Sequence, residues 1–355
     1  MAKLFDPIKL RGIEINNRVW VSPMCQYSAV NGVVGDWHMA HLGSLATGGA
    51  GLIIAEATGV VPEGRISIGC PGLYNDEQVA AWKKIVDFVH TQGSKISIQL
   101  AHAGRKGGTA IPGSGHLMAT PEEGGWQAVA PSAIAFEGYP TPRELSTHEI
   151  SQLVTAWADA AKNAVKAGFD SVEIHAAHGY LLHEFYSPLS NQRTDQYGGG
   201  YENRVRFVKE VTTAVRAAIP DTMPLFVRIS ASDWTDGGWS IEESVTLANE
   251  LQQLGVDLLD VSSGGNVHNA AIAVGPGYQV PFADAVKHGS TIVTSAVGMI
   301  TDAHQANEII ESGKADVIMM AREFLRNPRW PLQAAYELGV DIAWPRQLER
   351  GKRSR

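Results

Sequence analysis

Cysteine is scarce in this chain, and the scarcity excludes several classes of protein. The 355 residues contain only Cys25 and Cys70, with no CxxC pair, so a disulfide framework or a cysteine-rich zinc site is not expected. No apolar run approaches the roughly 18 residues of a membrane-spanning helix. The N-terminal segment MAKLFDPIKLRG also lacks the apolar centre of a signal peptide. We therefore expect a cytoplasmic protein without a membrane segment.

Positive charge is also in short supply. Lysine and arginine number 29 against 37 acidic residues, a net charge of −8, which argues against a nucleic-acid partner. The basic residues of segment 346–355 are interpreted as a solvated terminus. With 44% hydrophobic and 19% charged residues, the composition is that of a globular protein with a large core.

Short apolar runs of strand length recur along the chain with helical patterns between them. Eight runs are predicted to be strands, at 19–24, 52–57, 95–100, 171–175, 225–230, 257–262, 292–297 and 317–321. Most are continuous in Val, Ile, Leu and Ala, as is typical of parallel strands that are covered on both faces. Helices are predicted at 76–91, 147–167, 201–218, 241–254 and 302–312. No GxGxxG follows the first strand, so we predict a (β/α)8 TIM barrel rather than a Rossmann fold.

One stretch breaks the alternation of strand and helix. Residues 101–144 are rich in Gly, Pro and Ser and show no helical period. We predict an irregular excursion after the third strand that caps the C-terminal mouth of the barrel. No linker is long enough to divide the chain, so residues 1–355 are expected to form one domain.

The C-terminal ends of barrel strands supply active-site residues, so they can be examined in order. They give Ser22, Pro23, Met24, Cys25 and Tyr27, then Ala57, Gln99, His175, His178, Tyr180, Arg228, Gly298, Ala321 and Arg322. Gly298 allows a close approach of the backbone, and Arg322 can grip a phosphate. Gln99 and Arg228 would face the barrel axis, where a buried cation needs a polar partner. A phosphate at one side and a polar ring at the centre describe FMN.

His175, His178 and Tyr180 follow the fourth strand and precede a long polar loop. His175 and His178 could form a metal pair, but no suitable third ligand is nearby in the sequence, so we predict no metal. Histidines of the core are the other alternative. Side chains that donate hydrogen bonds or protons to a substrate fit the strand-end position better.

The strand-end series SPMCQY, EAT, IQLAHAGR, HAAHGYLLHEF, SNQRTDQYGG and ENR resembles the Old Yellow Enzyme family of FMN-dependent ene-reductases. The cysteine after SPM and the tyrosine two positions later resemble its thermophilic-like branch, which includes xenobiotic reductases. The resemblance covers nearly the whole chain.

The resemblance implies a role for each strand-end residue. Ser22, Pro23, Met24 and Cys25 would lie along the flavin, with Cys25 near its reactive edge. Ala57, Gln99 and Arg228 would contact the ring, and Gly298, Ala321 and Arg322 would hold the phosphate.

The same resemblance implies the reaction and its substrates. NADPH or NADH would be the reductant, and activated alkenes or nitro compounds would follow it into one pocket in a ping-pong cycle. His175 and His178 would bind the substrate oxygen, Tyr180 would donate a proton, and Tyr27 would close the pocket. The resemblance also implies a homodimer or homotetramer in which Arg350, in the tail 340–355, reaches the neighbouring site.

Three other functions compete with this interpretation. An aldolase or isomerase could use the phosphate site for a phosphorylated substrate, but no strand-end lysine is present as a Schiff-base nucleophile. A flavin-binding storage protein would not need Tyr180 as an acid. A flavoenzyme acting on dienoyl thioesters would need cysteines for an iron–sulfur centre.

Overall fold

The structure is a computed structural model that describes residues 2–353. Its strands are β1 Ile8–Leu10, β2 Ile13–Ile15, β3 Val19–Val21, β4 Leu52–Gly59, β5 Lys95–Ala101, β6 Val129–Ala130, β7 Arg143–Glu144, β8 Ser171–Ala176, β9 Leu225–Ser230, β10 Leu258–Ser262, β11 Val293–Ala296 and β12 Val317–Met320. Its helices are α1 Asp36–Ala46, α2 Asp76–Thr91, α3 Thr147–Ala167, α4 Leu181–Tyr186, α5 Tyr201–Arg204, α6 Arg206–Ala218, α7 Ile241–Gln253, α8 Val280–Gly289, α9 Ala303–Glu311, α10 Arg322–Arg326 and α11 Trp330–Glu337.

Eight of the strands close into a parallel barrel in the order β3-β4-β5-β8-β9-β10-β11-β12. They are the eight predicted strands, so the TIM-barrel prediction is confirmed. Every residue of β4, β8 and β9 is buried, because helices cover the outside of the barrel and side chains fill the inside. Among the described residues, no helix is long and apolar enough to cross a membrane.

The lower part of the barrel is filled by apolar side chains. Trp20 and Phe226 lie inside with ring centroids 5.8 Å apart, and both are fully buried. The hairpin of β1 and β2 packs Leu10 and Ile15 into the same cluster. The sequence analysis did not predict this hairpin. The hairpin closes the N-terminal end of the barrel, so an active site is expected at the C-terminal end.

Two predicted elements differ from the structure by more than two residues. The first strand was predicted to reach residue 24 but ends at Val21, because Pro23 has no N–H to continue a ladder. The predicted helix 201–218 is interrupted at Val205. Just before the break, the Arg204 guanidinium is bound by the carboxylate of Glu243 at 2.6 Å and by the carbonyl of Tyr186.

The excursion 101–144 crosses the barrel mouth as predicted. It contains the short 3-10 helices Gly104–Lys106 and Pro121–Glu123 and the paired strands β6 and β7. Arg105 donates from Nη2 to the carbonyl of Asn266 at 2.7 Å, and Lys106 donates from Nζ to that of Gly265 at 2.9 Å. The excursion is therefore bonded to the loop that follows β10.

Candidate active site

A layer of buried polar side chains lies above the apolar filling of the barrel. The alternation along each strand produces it, since Arg228 follows Phe226 and Asp260 follows Leu258 at a spacing of two. Neighbouring strands place Gln99 beside Glu173 and Arg228 beside Asp260 in the ladder. The polar layer is defined here as Gln99, Glu173, Arg228 and Asp260.

Opposite charges and one amide hold the polar layer together. Gln99 donates from Nε2 to Glu173 Oε1 at 2.8 Å. The Nε of Arg228 lies 3.1 Å from Asp260 Oδ2, and the Ser295 hydroxyl donates to the other oxygen of Asp260 at 2.6 Å. Burial and the nearby charge of Asp260 raise the pKa of Glu173 to about 8, although Arg228 and Gln99 oppose the shift.

The two histidines and the tyrosine converge directly above the polar layer. The ring centroid of His175 lies 5.2 Å from that of His178 and 5.0 Å from that of Tyr180. His178 has a φ of 60°, and the Ser230 hydroxyl accepts its backbone N–H at 2.9 Å. The next loop packs tightly on this turn, since a Cβ on Gly265 would lie 2.6 Å from the Cα of His178.

Both histidines are neutral at physiological pH. Burial lowers the pKa of each well below its usual value, and the charge of Arg228 adds to the shift. Each ring therefore carries one N–H. His175 Nδ1 is buried and has no hydrogen-bond partner among residues 2–353. His178 Nε2 lies 3.0 Å from the Ser262 hydroxyl, and that hydroxyl donates its one hydrogen to the Ile229 carbonyl at 2.7 Å. Ser262 therefore accepts from His178 Nε2, and the ring donates from Nδ1 only when the hydroxyl hydrogen turns from Ile229 to Nε2.

Tyr180 lies in an apolar pocket wall with Cys25, Tyr27 and Ala57. Burial and the neighbouring thiol and phenol groups raise its pKa well above the usual value, so the hydroxyl keeps its proton. The Lys106 ammonium lies 4.8 Å from the centre of the Tyr180 ring. Burial lowers the pKa of Lys106 to about 8, and a cation in this position would stabilise a phenolate.

The other predicted cofactor residues occupy the opposite side of the mouth. Ser22 is buried, and Pro23 and Met24 are half-buried on the segment that follows β3. Gly298 follows β11 with a φ of 122°, and a Cβ there would lie 2.9 Å from Gln279 Nε2, so glycine is required. Ala321 caps α10, and Arg322 is its first residue.

Two arginines, Arg228 and Arg322, carry the positive charge on this side of the barrel mouth. Burial raises the pKa of Tyr278, and the charges of Arg322 and Arg228 partly offset this rise. Both arginines are therefore close enough to act on one side chain. Arg322 is exposed, whereas Arg228 is buried. The buried cation thus lies within β9, and the exposed cation lies just after β12.

Arg350 is not brought into this group. It is exposed on the 3-10 helix Glu349–Gly351. The tail there encloses a cavity of about 430 Å³ with α11, lined by Tyr336, Trp344 and Arg353 among others. Ser354 and Arg355, the last two residues of the predicted tail, lie outside the described residues.

Several residues of the site were not predicted from the sequence. Glu173 and Asp260 stand two positions before His175 and Ser262, so the period of two along a strand was a signal that could have revealed them. The sequence indicated Lys106 more weakly, as a cation that follows the end of β5. Cys70 gave none, yet its Sγ lies within 4.8 Å of Cys25 Sγ and of a Glu56 carboxylate oxygen.

Comparisons with known proteins agree with this geometry. The model of the NADH:flavin oxidoreductase / NADH oxidase family matches residues 3–340. The chain is 48% identical to an NADPH dehydrogenase of Geobacillus thermodenitrificans over 353 residues, 99% of this chain and 98% of the relative. An NADPH dehydrogenase of Bacillus subtilis is 47% identical over 352 residues, 98% of this chain and 99% of the relative.

The chain belongs to the NADH:flavin oxidoreductase / NADH oxidase family. A solved structure of morphinone reductase in complex with tetrahydroNAD superposes with a TM-score of 0.79 at 30% identity, over 96% of this chain and 92% of that one. The resemblance to Old Yellow Enzymes is thereby confirmed. This family member is an NAD(P)H-dependent flavin oxidoreductase with FMN as its cofactor.

The residues present fit a flavin. Buried polar atoms without hydrogen-bond partners in the described part of the chain include Ser22 Oγ, Glu173 Oε2 and His175 Nδ1. Unmatched groups of this kind are costly unless a ligand pairs with them. The polar edge of a flavin ring offers carbonyl oxygens and ring nitrogens to such groups.

The raised pKa of Glu173 predicts how stability depends on pH. The folded pKa of about 8 exceeds the usual 4.5, so ionisation is penalised in the folded state and stability falls as pH rises from about 4.5 to about 8. Glu173→Gln keeps an acceptor for Gln99 but cannot ionise. We expect the variant to gain stability over the parent as pH rises from about 5 to about 8, measured by thermal unfolding of the FMN-free proteins.

Glu14→Gln, on the exposed face of β2, should show no such gain. An equal response of Glu173→Gln and the parent at every pH would refute the buried, ionising carboxyl.

Proposed function

We propose that this flavin oxidoreductase reduces the C=C bond of activated alkenes, such as α,β-unsaturated ketones, aldehydes and maleimides, and also accepts nitro compounds. The observation that carries the proposal is the convergence of His175, His178 and Tyr180 beside the polar layer, with His175 Nδ1 unpaired and buried. Two neutral donors and a protonated phenol suit a substrate with an oxygen at one end and a carbon to be protonated at the other.

The two histidines would bind the substrate oxygen. Because both rings are neutral, they would donate hydrogen bonds without giving up a proton to the oxygen. Charge that moves onto this oxygen makes the β-carbon electrophilic, an effect worth ~3 kcal/mol per donor in comparable oxyanion sites. Ser262 would set the tautomer of His178 by turning its hydroxyl hydrogen from the Ile229 carbonyl to Nε2 when substrate binds.

Tyr180 would protonate the α-carbon. Its raised pKa keeps the hydroxyl protonated before the reaction, and the Lys106 cation above the ring would stabilise the phenolate that remains. When bound, FMN supplies the hydride that reaches the β-carbon. Gln99, Arg228, Gly298, Ala321 and Arg322 are proposed to bind it, with Ser22, Pro23, Met24, Cys25 and Ala57 along the ring.

One pocket is proposed to serve both NAD(P)H and the alkene in a ping-pong cycle. Morphinone reductase has been solved with tetrahydroNAD bound, and this chain has one convergent set of donors at the barrel mouth in its described part. The carboxamide oxygen of a nicotinamide and the carbonyl oxygen of an enone have similar chemistry. Tyr27, which has a φ of 51° and lies in the same pocket wall, would close the pocket over either ligand.

Tyr180→Phe separates the two halves of the proposed cycle. The variant lacks the proton donor, so alkene reduction should slow by about 100-fold or more. Reduction of the flavin by NADPH needs no proton from this residue and should stay within about twofold of the parent. Stopped-flow absorbance with NADPH alone, and then with an enone, measures both rates. Tyr336→Phe on α11 is the matched control and should leave both unchanged. Equal rates of enone reduction in the Tyr180 variant and the parent would remove the proposed acid.

A neighbouring subunit is the remaining part of the proposal. Arg350 is exposed on the tail, where a guanidinium could reach a pocket of another copy in a homodimer or homotetramer. Arg350→Ala should then raise the KM for the alkene by about tenfold, since a charge-assisted hydrogen bond is worth roughly 1.5–3 kcal/mol, while Arg346→Ala should not. Sedimentation should show two or four chains. A monomer with full activity would contradict the proposed reach of Arg350.

A further inference from the structure

The two cysteines of the chain meet beside the proposed flavin pocket. The Sγ atoms of Cys25 and Cys70 lie within 4.8 Å of each other. A disulfide requires an S–S distance of about 2.05 Å, so the two sulfurs need to approach by at most about 2.8 Å. Cys70 is fully buried and Cys25 is half-buried, which gives one sulfur access to the pocket and shields the other.

Backbone hydrogen bonds hold the two cysteine segments side by side. The N–H of Ala29, four residues after Cys25, donates to the carbonyl of Gly69 at 2.8 Å. On the other side of the Cys70 segment, the N–H of Gly59 donates to the carbonyl of Pro71 at 2.9 Å. Both anchors lie next to Cys70 in sequence, so they keep its segment beside the segment that carries Cys25.

A metal ion is a weaker explanation of the cluster. Glu56 would be the third ligand, but both of its oxygens already have partners. Oε2 accepts the N–H of Gln26 at 3.0 Å, and Oε1 lies 3.2 Å from His38 Nε2. A carboxylate held in this way is not free to turn toward a metal, which leaves the two sulfurs to react with each other.

We propose that Cys25 and Cys70 form a reversible disulfide when the enzyme is exposed to a peroxide. A Cys25 thiolate attacks one oxygen of hydrogen peroxide, the O–O bond breaks, and the departing hydroxide takes up a proton to leave as water. Cys70 sulfur then attacks the sulfur of the Cys25 sulfenic acid, and the S–O bond breaks with loss of a second water. Two thiols and one peroxide give one disulfide and two waters. A dithiol such as dithiothreitol reverses the reaction and is itself oxidised.

The surroundings of Cys25 set its reactivity. Hydrogen bonding to Cys70, burial and the charges of Cys70 and Glu56 raise its pKa well above the usual value, and the backbone N–H of Ala57 lowers it. Tyr27 and Tyr180 also face this thiol, and both hydroxyls are neutral at the pH of the test. Since the thiolate is the attacking species, the reaction is best followed at alkaline pH.

The closed disulfide would alter the pocket wall that contains Cys25, Tyr27 and Tyr180. It would remove the S–H of Cys25 and tie the segment after β3 to the segment after β4. A change in the FMN absorption spectrum is expected to follow. This consequence rests on the proposed function, which puts Cys25 along the flavin, whereas formation of the bond does not.

The test treats the FMN-bound enzyme with a small excess of hydrogen peroxide at about pH 9.5, because the pKa of Cys25 lies above the ordinary thiol value of 9.0. Denaturation, thiol titration and intact-mass measurement follow. Because the chain has two cysteines, the titratable thiols should fall from two to none, and the mass should fall by two hydrogen atoms. Dithiothreitol should restore both values. Cys70→Ser should lose no hydrogens. Cys70→Ala provides a second variant, and the FMN-to-protein ratio shows which variants fold.

Four results would overturn the proposal. They are two thiols that survive the peroxide, a sulfinic acid on Cys25 beside a free Cys70, a covalent dimer on a non-reducing gel, and one zinc ion per chain that protects both thiols. None of them bears on alkene reduction. An enzyme that forms the disulfide but reduces no enone would refute the proposed function alone.

Discussion

The buried ion pair of Arg228 and Asp260 is the interaction on which the rest of the site depends. A guanidinium at this depth is costly without a partner, and Asp260 lies 3.1 Å away on the neighbouring strand. The same cation lowers the pKa of His175 and His178 and opposes the rise at Glu173. Burial is the larger cause of the neutral imidazoles. The charge on β9 adds to it and limits the protonation of the carboxyl below them.

The barrel accommodates this buried ion pair because its apolar half is separate from its polar half. Trp20 and Phe226 fill the lower half and the β1–β2 hairpin closes it, so the packing that stabilises the fold does not compete with the site. In the upper half, Ser22, Glu173 and His175 keep buried polar atoms that have no partner among residues 2–353. Residues left in this condition are typical of a functional site, where a ligand completes the pairing.

Much of the architecture could be predicted because strands covered on both faces have a plain sequence pattern. The eight strands were predicted in order, and α2 and α3 have the predicted bounds. The end of β3 was missed by three residues, since Pro23 stops the ladder inside an apolar run. The N-terminal hairpin was missed because each of its strands has only three residues, too few for a visible period.

Site residues at the ends of strands could be predicted from the sequence. Contacts between residues that are far apart in the sequence could not. His175, His178 and Tyr180 were found from their position after one strand. The approach of Cys70 to Cys25 arises from hydrogen bonds between the loops after β3 and β4, and no local pattern encodes it. The neutral state of both histidines depends on burial and on Arg228, which is 53 positions from His175 and 50 from His178, and thus on the closure of the barrel.

The central claim is that the unpaired donors above the polar layer bind a ligand oxygen over the flavin. Phenols test it directly, since a phenolate oxygen should occupy the position of the substrate oxygen and give a long-wavelength band with oxidised FMN. Titration of the FMN-bound enzyme and of the His175→Ala/His178→Ala variant compares the two affinities. The account predicts a loss of at least about 100-fold in the variant, from two hydrogen bonds to a charged oxygen at roughly 1.5–3 kcal/mol each. Equal affinity and an equal band in both proteins would contradict it.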